Sequence, residues 1–104
     1  MSIQNVLLLQ EHPFKWNSPP RILANILKGE FDSNHLRVKV ADYQKIKQQK
    51  IAANLILIEP TAKYLKPHVE QLYGNQAKVE VMEMNAYTAL NAPLLIQQIQ
   101  ENFV

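Results

Sequence analysis

The sequence predicts an α/β fold, a four-stranded parallel sheet with helices on both faces in a three-layer, flavodoxin-like arrangement, and three observations carry that prediction. Two short runs, Val6-Leu7-Leu8-Leu9 and Leu55-Ile56-Leu57-Ile58, are apolar at every position. Runs of this length suit strands buried on both faces, as in a parallel sheet covered by helices. Strand-like and helix-like segments alternate along the chain, which implies right-handed crossovers. The length of 104 residues then suits a single domain, with neither internal repeat nor linker.

Each element has its own signal. Val6 to Leu9 is the first strand, and Gln10 to Ser18, polar with one proline and two aromatics, is a loop. Ser18 before Pro19 and Pro20 is a helix start, since proline in the first turn forfeits no intrahelical hydrogen bond. Ile22, Leu23, Ile26 and Leu27 mark the inward face of that helix, and Gly29 is expected to end it in a left-handed cap. Leu36-Arg37-Val38-Lys39-Val40 alternates as a half-exposed edge strand does, with the two cations discouraging edge-to-edge pairing. Asp42 to Lys50 reads as a short helix, packed through Tyr43, Ile46 and Ile51.

The second buried strand, Leu55 to Ile58, is stopped by Glu59-Pro60. Thr61 is expected to cap one turn through Tyr64. Pro67 then opens a separate helix, because a proline within one continuous helix costs about 3 kcal/mol. Val69 and Leu72 are expected to face inward, with Gly74 as the stop. Val79 to Met82 is the fourth strand. Asn91 caps the last helix, with Pro93 in its first turn and Leu95, Ile99 and Phe103 one turn apart.

Composition excludes several function classes. A net charge of +2, scattered along the chain, gives no footprint for direct nucleic-acid binding, and Lys45, Lys47 and Lys50 read as a solvated helix face. No apolar run approaches the ~20 residues of a membrane helix, so membrane insertion is not expected. The start, Met-Ser-Ile-Gln-Asn, lacks the basic region of a signal peptide. The chain has no cysteine, so it has neither disulfides nor thiolate metal sites, and a cytoplasmic location is expected. His12, His35 and His68 share no metal-ligand spacing, and both glycines, Gly29 and Gly74, read as helix stops rather than parts of a phosphate loop. No metal or cofactor is expected. No large apolar stripe is left over, so the expected state is a monomer.

In an open parallel sheet, sites form at the carboxyl ends of the strands beside the switch in strand order. Three loops are expected to meet there: Gln10 to Ser18, Glu59 to Tyr64, and Glu83 to Leu90. They supply His12, Lys15, Trp16, Ser18, Glu59, Thr61, Tyr64 and Tyr87, with Phe14 beside them. His12 is the one potential nucleophile of note. Ser18 is better placed to cap a helix than to attack. Phe14 and Trp16 form either a partner-recognition surface or a lid on the core.

The stretch Ala53-Asn54-Leu55-Ile56-Leu57-Ile58-Glu59-Pro60, followed by Tyr64 and Pro67, then Val79-Glu80-Val81-Met82-Glu83 and Tyr87, resembles the lactose/cellobiose-type IIB subunits of the bacterial phosphoenolpyruvate-dependent sugar phosphotransferase system. In that family an Ala-Asp-hydrophobic strand ends in Gly-Pro. A turn with tyrosine follows, then proline opening a helix, a Val-Glu-Val-Ile-Asp strand, and a loop with tyrosine. The likeness covers the last half of the chain in letters and the first half in layout. It implies a four-stranded parallel sheet and a cytoplasmic phosphocarrier, whose cysteine at the end of the first strand takes phosphate from a IIA subunit and passes it to sugar in the membrane-embedded IIC subunit.

Here that cysteine falls near Leu9 or Gln10, and the small-residue loop after it is replaced by Glu11-His12-Pro13-Phe14-Lys15-Trp16-Asn17-Ser18. The thiolate nucleophile is gone, Pro13 and Pro19 lack N–H donors, and Glu11 repels phosphate. Thiol phosphotransfer is excluded. The expectation is a IIB-like domain without catalysis that binds IIA-like or IIC-like components or other domains of a regulator, through His12, Phe14, Lys15, Trp16, Ser18, Tyr64 and Tyr87. The alternative is a phosphocarrier using His12 in place of cysteine. A response-regulator receiver needs an acceptor aspartate where Glu59 stands, and a low-molecular-weight tyrosine phosphatase needs Cys and Arg in the first loop.

Overall fold

The computed structural model describes residues 4–12, 18–30 and 36–102. Strand β1 (Gln4–Gln10) leads to helix α1 (Pro19–Glu30), edge strand β2 (Leu36–Asp42) and the short helix α2 (Tyr43–Gln48). Strand β3 (Leu55–Ile58) is followed by a 3-10 turn (Pro60–Leu65), helix α3 (Lys66–Tyr73) and a second 3-10 turn (Gly74–Gln76). Strand β4 (Lys78–Val81) precedes helices α4 (Met84–Thr88) and α5 (Ala92–Asn102).

All four strands are parallel, in the order β2-β1-β3-β4. Chain order reverses between β1 and β3, which is where a crevice opens at the carboxyl end of such a sheet. Register fixes what meets there: Leu9 pairs with Ile58, and the Glu59 N–H continues the ladder by donating to the Leu9 carbonyl at 2.9 Å.

The fully apolar runs behave as expected of central strands. Side chains alternate between faces along a strand, so Val6, Leu8, Leu55 and Leu57 bury against Leu23, Ala24 and Leu27 of α1 and Leu95 and Ile99 of α5. On the other face, Leu7, Leu9, Ile56 and Ile58 bury against Ile46 of α2 and Leu65, Val69 and Tyr73 around α3. Two separate cores, one on each face of the sheet, make the three-layer fold. No helix among the described residues is long and apolar enough to cross a membrane.

Several local expectations are corrected. Helix α1 runs through Gly29 to Glu30, so Gly29 does not end it. Its buried stripe is Leu23, Ala24 and Leu27, while Ile26 is 39 % exposed. In α3, Val69 is buried but Leu72 is exposed; Tyr73 takes the inward position and donates its hydroxyl to the Ile51 carbonyl at 2.8 Å. Thr61 does not cap the turn after β3: Glu59 holds the cap position and Pro60 opens the turn. The segment after β4, expected as a loop, contains α4, whose cap residue Glu83 accepts from the Asn85 N–H at 3.3 Å. Phe103 lies outside the described residues.

Other signals hold. Asn91 caps α5 by accepting from the Leu94 N–H at 3.2 Å, and the structure adds a cap the sequence reading did not name, Asp42 of α2, which accepts from the Lys45 N–H at 3.0 Å. Gly74 stops α3 with φ +55°, a conformation that favours glycine.

Candidate functional site

Three segments converge where β1 and β3 end, and Glu59 ties them together. Glu59 follows the last residue of β3 and is only 8 % exposed, an unusual state for a carboxylate unless its oxygens are satisfied. Both are. Oε2 accepts from the backbone N–H of Glu11, the first residue past β1, at 2.6 Å. Oε1 accepts from the Tyr87 hydroxyl on α4 at 2.8 Å. One carboxylate thus links the ends of β1 and β3 to α4.

The tyrosines around it are held in their neutral form. Burial pushes the Tyr87 hydroxyl above its ordinary 10.0, the hydrogen bond to Glu59 adds to that, and the neighbouring Thr61 hydroxyl partly opposes it. Tyr64 is 55 % exposed on the rim. Hydrogen bonding to the Glu11 carboxylate, foremost, raises it above 10.0, with the Glu59 charge contributing. The site therefore presents two carboxylates, Glu11 and Glu59, with the Tyr87 hydroxyl donating to Glu59.

Gln10 stitches the first loop from below. The Gln10 side chain is polar yet buried, and bonds at both ends account for that: its Nε2 donates to the His12 carbonyl at 3.1 Å, and its Oε1 accepts from the Ser18 hydroxyl at 2.9 Å. The two ends of the loop, His12 and Ser18, are clamped to one side chain. Ser18 also accepts the first helical bond of α1, from the Ile22 N–H at 3.0 Å. Its hydroxyl is therefore structural.

Of the residues singled out in the sequence, Glu59, Thr61, Tyr64 and Tyr87 come together. His12 and Ser18 lie at the same end of the sheet, while Phe14, Lys15 and Trp16 lie outside the described residues. The His12 side chain is 83 % exposed, with Nε2 at 3.3 Å from a Glu11 oxygen. Sequence reasoning missed Gln10 as the clamp. A lone glutamine at the end of an all-apolar strand, where the next polar residue is already loop, was the available signal. Among the described residues no group of three or more histidines and carboxylates could hold a metal ion.

Chemically, the first backbone donor past β1 is already occupied. Backbone N–H groups past the first strand of such a sheet are where an anion would be held. Here the Glu11 N–H is taken by a side chain of the protein itself. A phosphate brought to about 4 Å from the Glu59 carboxylate would meet repulsion of about 4 kcal/mol per pair of unit charges, at the effective dielectric of a protein surface. Glu11 adds to it. Comparison with known proteins finds no family model and no curated protein that matches this chain.

Proposed function

We infer that this protein is a IIB-like domain of sugar phosphotransferase signalling or transport that carries no phosphate and acts by binding. The observation that carries the reading is the Glu59 carboxylate on the Glu11 N–H at 2.6 Å, at the end of the first strand, where a phosphocarrier of this layout needs an open anion cradle. The absence of cysteine removes the nucleophile, and Glu59 takes the first backbone donor a cradle would use. The strand order and the three converging segments support the IIB-like layout. The partners are IIA-like or IIC-like components, or other domains of a regulator, and they meet the rim formed by His12 and Tyr64 with the first loop.

The test is a titration of the isotope-labelled chain with unphosphorylated and phosphorylated IIA proteins, read by amide shifts. Shifts gathered on Gln10 to His12, Tyr64 and Tyr87 are expected. If no phosphotransferase component binds, while the same proteins bind a cysteine-containing IIB, the reading fails. A second reading, phosphate carried on His12, is favoured only by the exposure of that imidazole. The neighbouring Glu11 and Glu59 carboxylates oppose it.

A further inference from the structure

The scattered charge of the sequence is not scattered in the fold. Arg21 and Lys28 on α1, Lys39 on β2 and Lys45 on α2 line one groove of about 380 Å³, with Val40 and Ile51 as its apolar part. These cations lie far apart in sequence, and only the β1-α1-β2-α2 path gathers them. Among the described residues, Lys28, Lys39 and Lys45 take part in no ion pair. Asp42, the acid next to α2, is engaged in capping that helix.

The groove reaches the open edge of the sheet at Lys39 and Val40. β2 is the terminal strand and pairs only with β1, over the whole register from Gln4↔Leu36 to Gln10↔Asp42. Among the described residues nothing pairs with its outer side. The two helices flank that edge from opposite faces of the sheet. Val38 packs in the core under α1, whereas Ala41 packs in the core under α2. Lys39, two residues from Ala41, shares its face. A chain laid along the edge would therefore meet Arg21 and Lys28 on one face and Lys39 and Lys45 on the other.

We propose that the outer edge of β2 is a docking site for an extended acidic segment of a partner polypeptide, which adds as a fifth strand and places carboxylates against Lys28, Lys39 and Lys45. Charge complementarity selects this occupant. Lysine on an edge strand ordinarily guards against pairing with a like copy. Here the same cations repel a second basic edge and admit an acidic one. Backbone pairing supplies affinity, and alternate side chains supply specificity. A nucleic acid fits less well, because among the described residues no aromatic ring lines the groove on which a base could stack. The acidic segment must carry carboxylates at both odd and even positions, since the cations flank the edge on both faces. This site is separate from the Glu59 centre and does not depend on the function proposed for it.

The experiment uses a fluorescein-labelled peptide repeating Val-Glu-Glu, with anisotropy as readout. Saturable binding is expected, weakening between about 50 mM and about 300 mM salt as screening grows. The exposed-site variant Lys28→Glu/Lys45→Glu is expected to weaken binding about tenfold or more, and Lys39→Glu to act in the same direction. A peptide of equal charge with proline in place of valine cannot form the ladder and is expected not to bind. Amide exchange in β2 is expected to slow on binding. The proposal is overturned by absent binding, by unchanged affinity in the charge variants, by equal binding of the proline peptide, or by an oligonucleotide competing more tightly than the peptide.

Discussion

Replacing Glu59 by glutamine changes almost no volume and reverses one hydrogen bond. The wild-type carboxylate accepts two, from the Glu11 N–H and the Tyr87 hydroxyl. Glutamine has one acceptor oxygen, and its amide donates where the second acceptor was. If that oxygen stays on the Glu11 N–H, Tyr87 loses a charged acceptor. A hydrogen bond to a charged group contributes about 1.5–3 kcal/mol, and the partial exposure of this end of the sheet argues for the lower end, about 1.5 kcal/mol. Tyr87→Phe alone is expected to cost about the same. The two losses are one interaction, so the double variant should cost little more than either single one, a coupling of about 1 kcal/mol. Urea unfolding measures this. With a slope of about 1–1.5 kcal/mol per M for a chain of this size, each single variant lowers the midpoint by about 1 M. Strictly additive effects, with the double variant losing about 2 M, would refute the argument that Glu59 holds α4 through Tyr87.

Other consequences are open to equally direct measurement. Gly74→Ala meets no atom within 4 Å, so its cost is backbone strain at φ +55°; a loss of about 1–3 kcal/mol in urea unfolding is expected. Leu90 holds φ 51° after α4, and the Asn91 N–H donates to the Ala86 carbonyl at 2.9 Å, the closing bond of a helix-ending motif that normally carries glycine. Leu90→Gly is therefore expected to raise the melting temperature, by an amount equivalent to about 0.5–1 kcal/mol. Asp42→Ala removes the cap of α2 and is expected to cost about 1 kcal/mol in urea unfolding. Tyr64, Tyr73 and Tyr87 all have folded pKa values above 10.0. Their stabilisation is complete below about pH 10 and is lost as pH rises through the raised folded values. The fall in stability with rising pH, measured by urea midpoints, should become shallower in Tyr87→Phe.

What the sequence disclosed follows from how local each signal is. β1 and β3 were legible because every residue in Leu7-Leu8-Leu9 and Leu55-Ile56-Leu57-Ile58 is buried, a state that only a covered central strand imposes. Gly74 and Asn91 were legible because stops and caps act within a few residues. Helix α4 was not: five residues give no period to read, and its end is marked by a leucine, not a glycine. Ile26 was placed inward by i, i+4 spacing and Leu72 beside Val69, but Ala24 and Tyr73 take the buried positions next to them, Tyr73 with its hydroxyl on the Ile51 carbonyl. In the site, position after β3 was enough to single out Glu59. Its partners were not legible, because the Leu9–Ile58 register, a contact 49 residues apart, decides that its carboxylate reaches Glu11. The basic groove was invisible for the same reason, its cations coming from three elements.

The central claim is that the end of β1 holds a carboxylate where a phosphocarrier holds phosphate. It is tested most directly by incubating the chain with phosphoenolpyruvate, the general phosphotransferase proteins and a IIA protein. Intact mass is then read at mildly alkaline pH, where phosphohistidine survives. The account predicts an unmodified chain while a cysteine-containing IIB in the same mixture gains phosphate. A phosphate adduct that forms on this chain and vanishes in His12→Ala would contradict it.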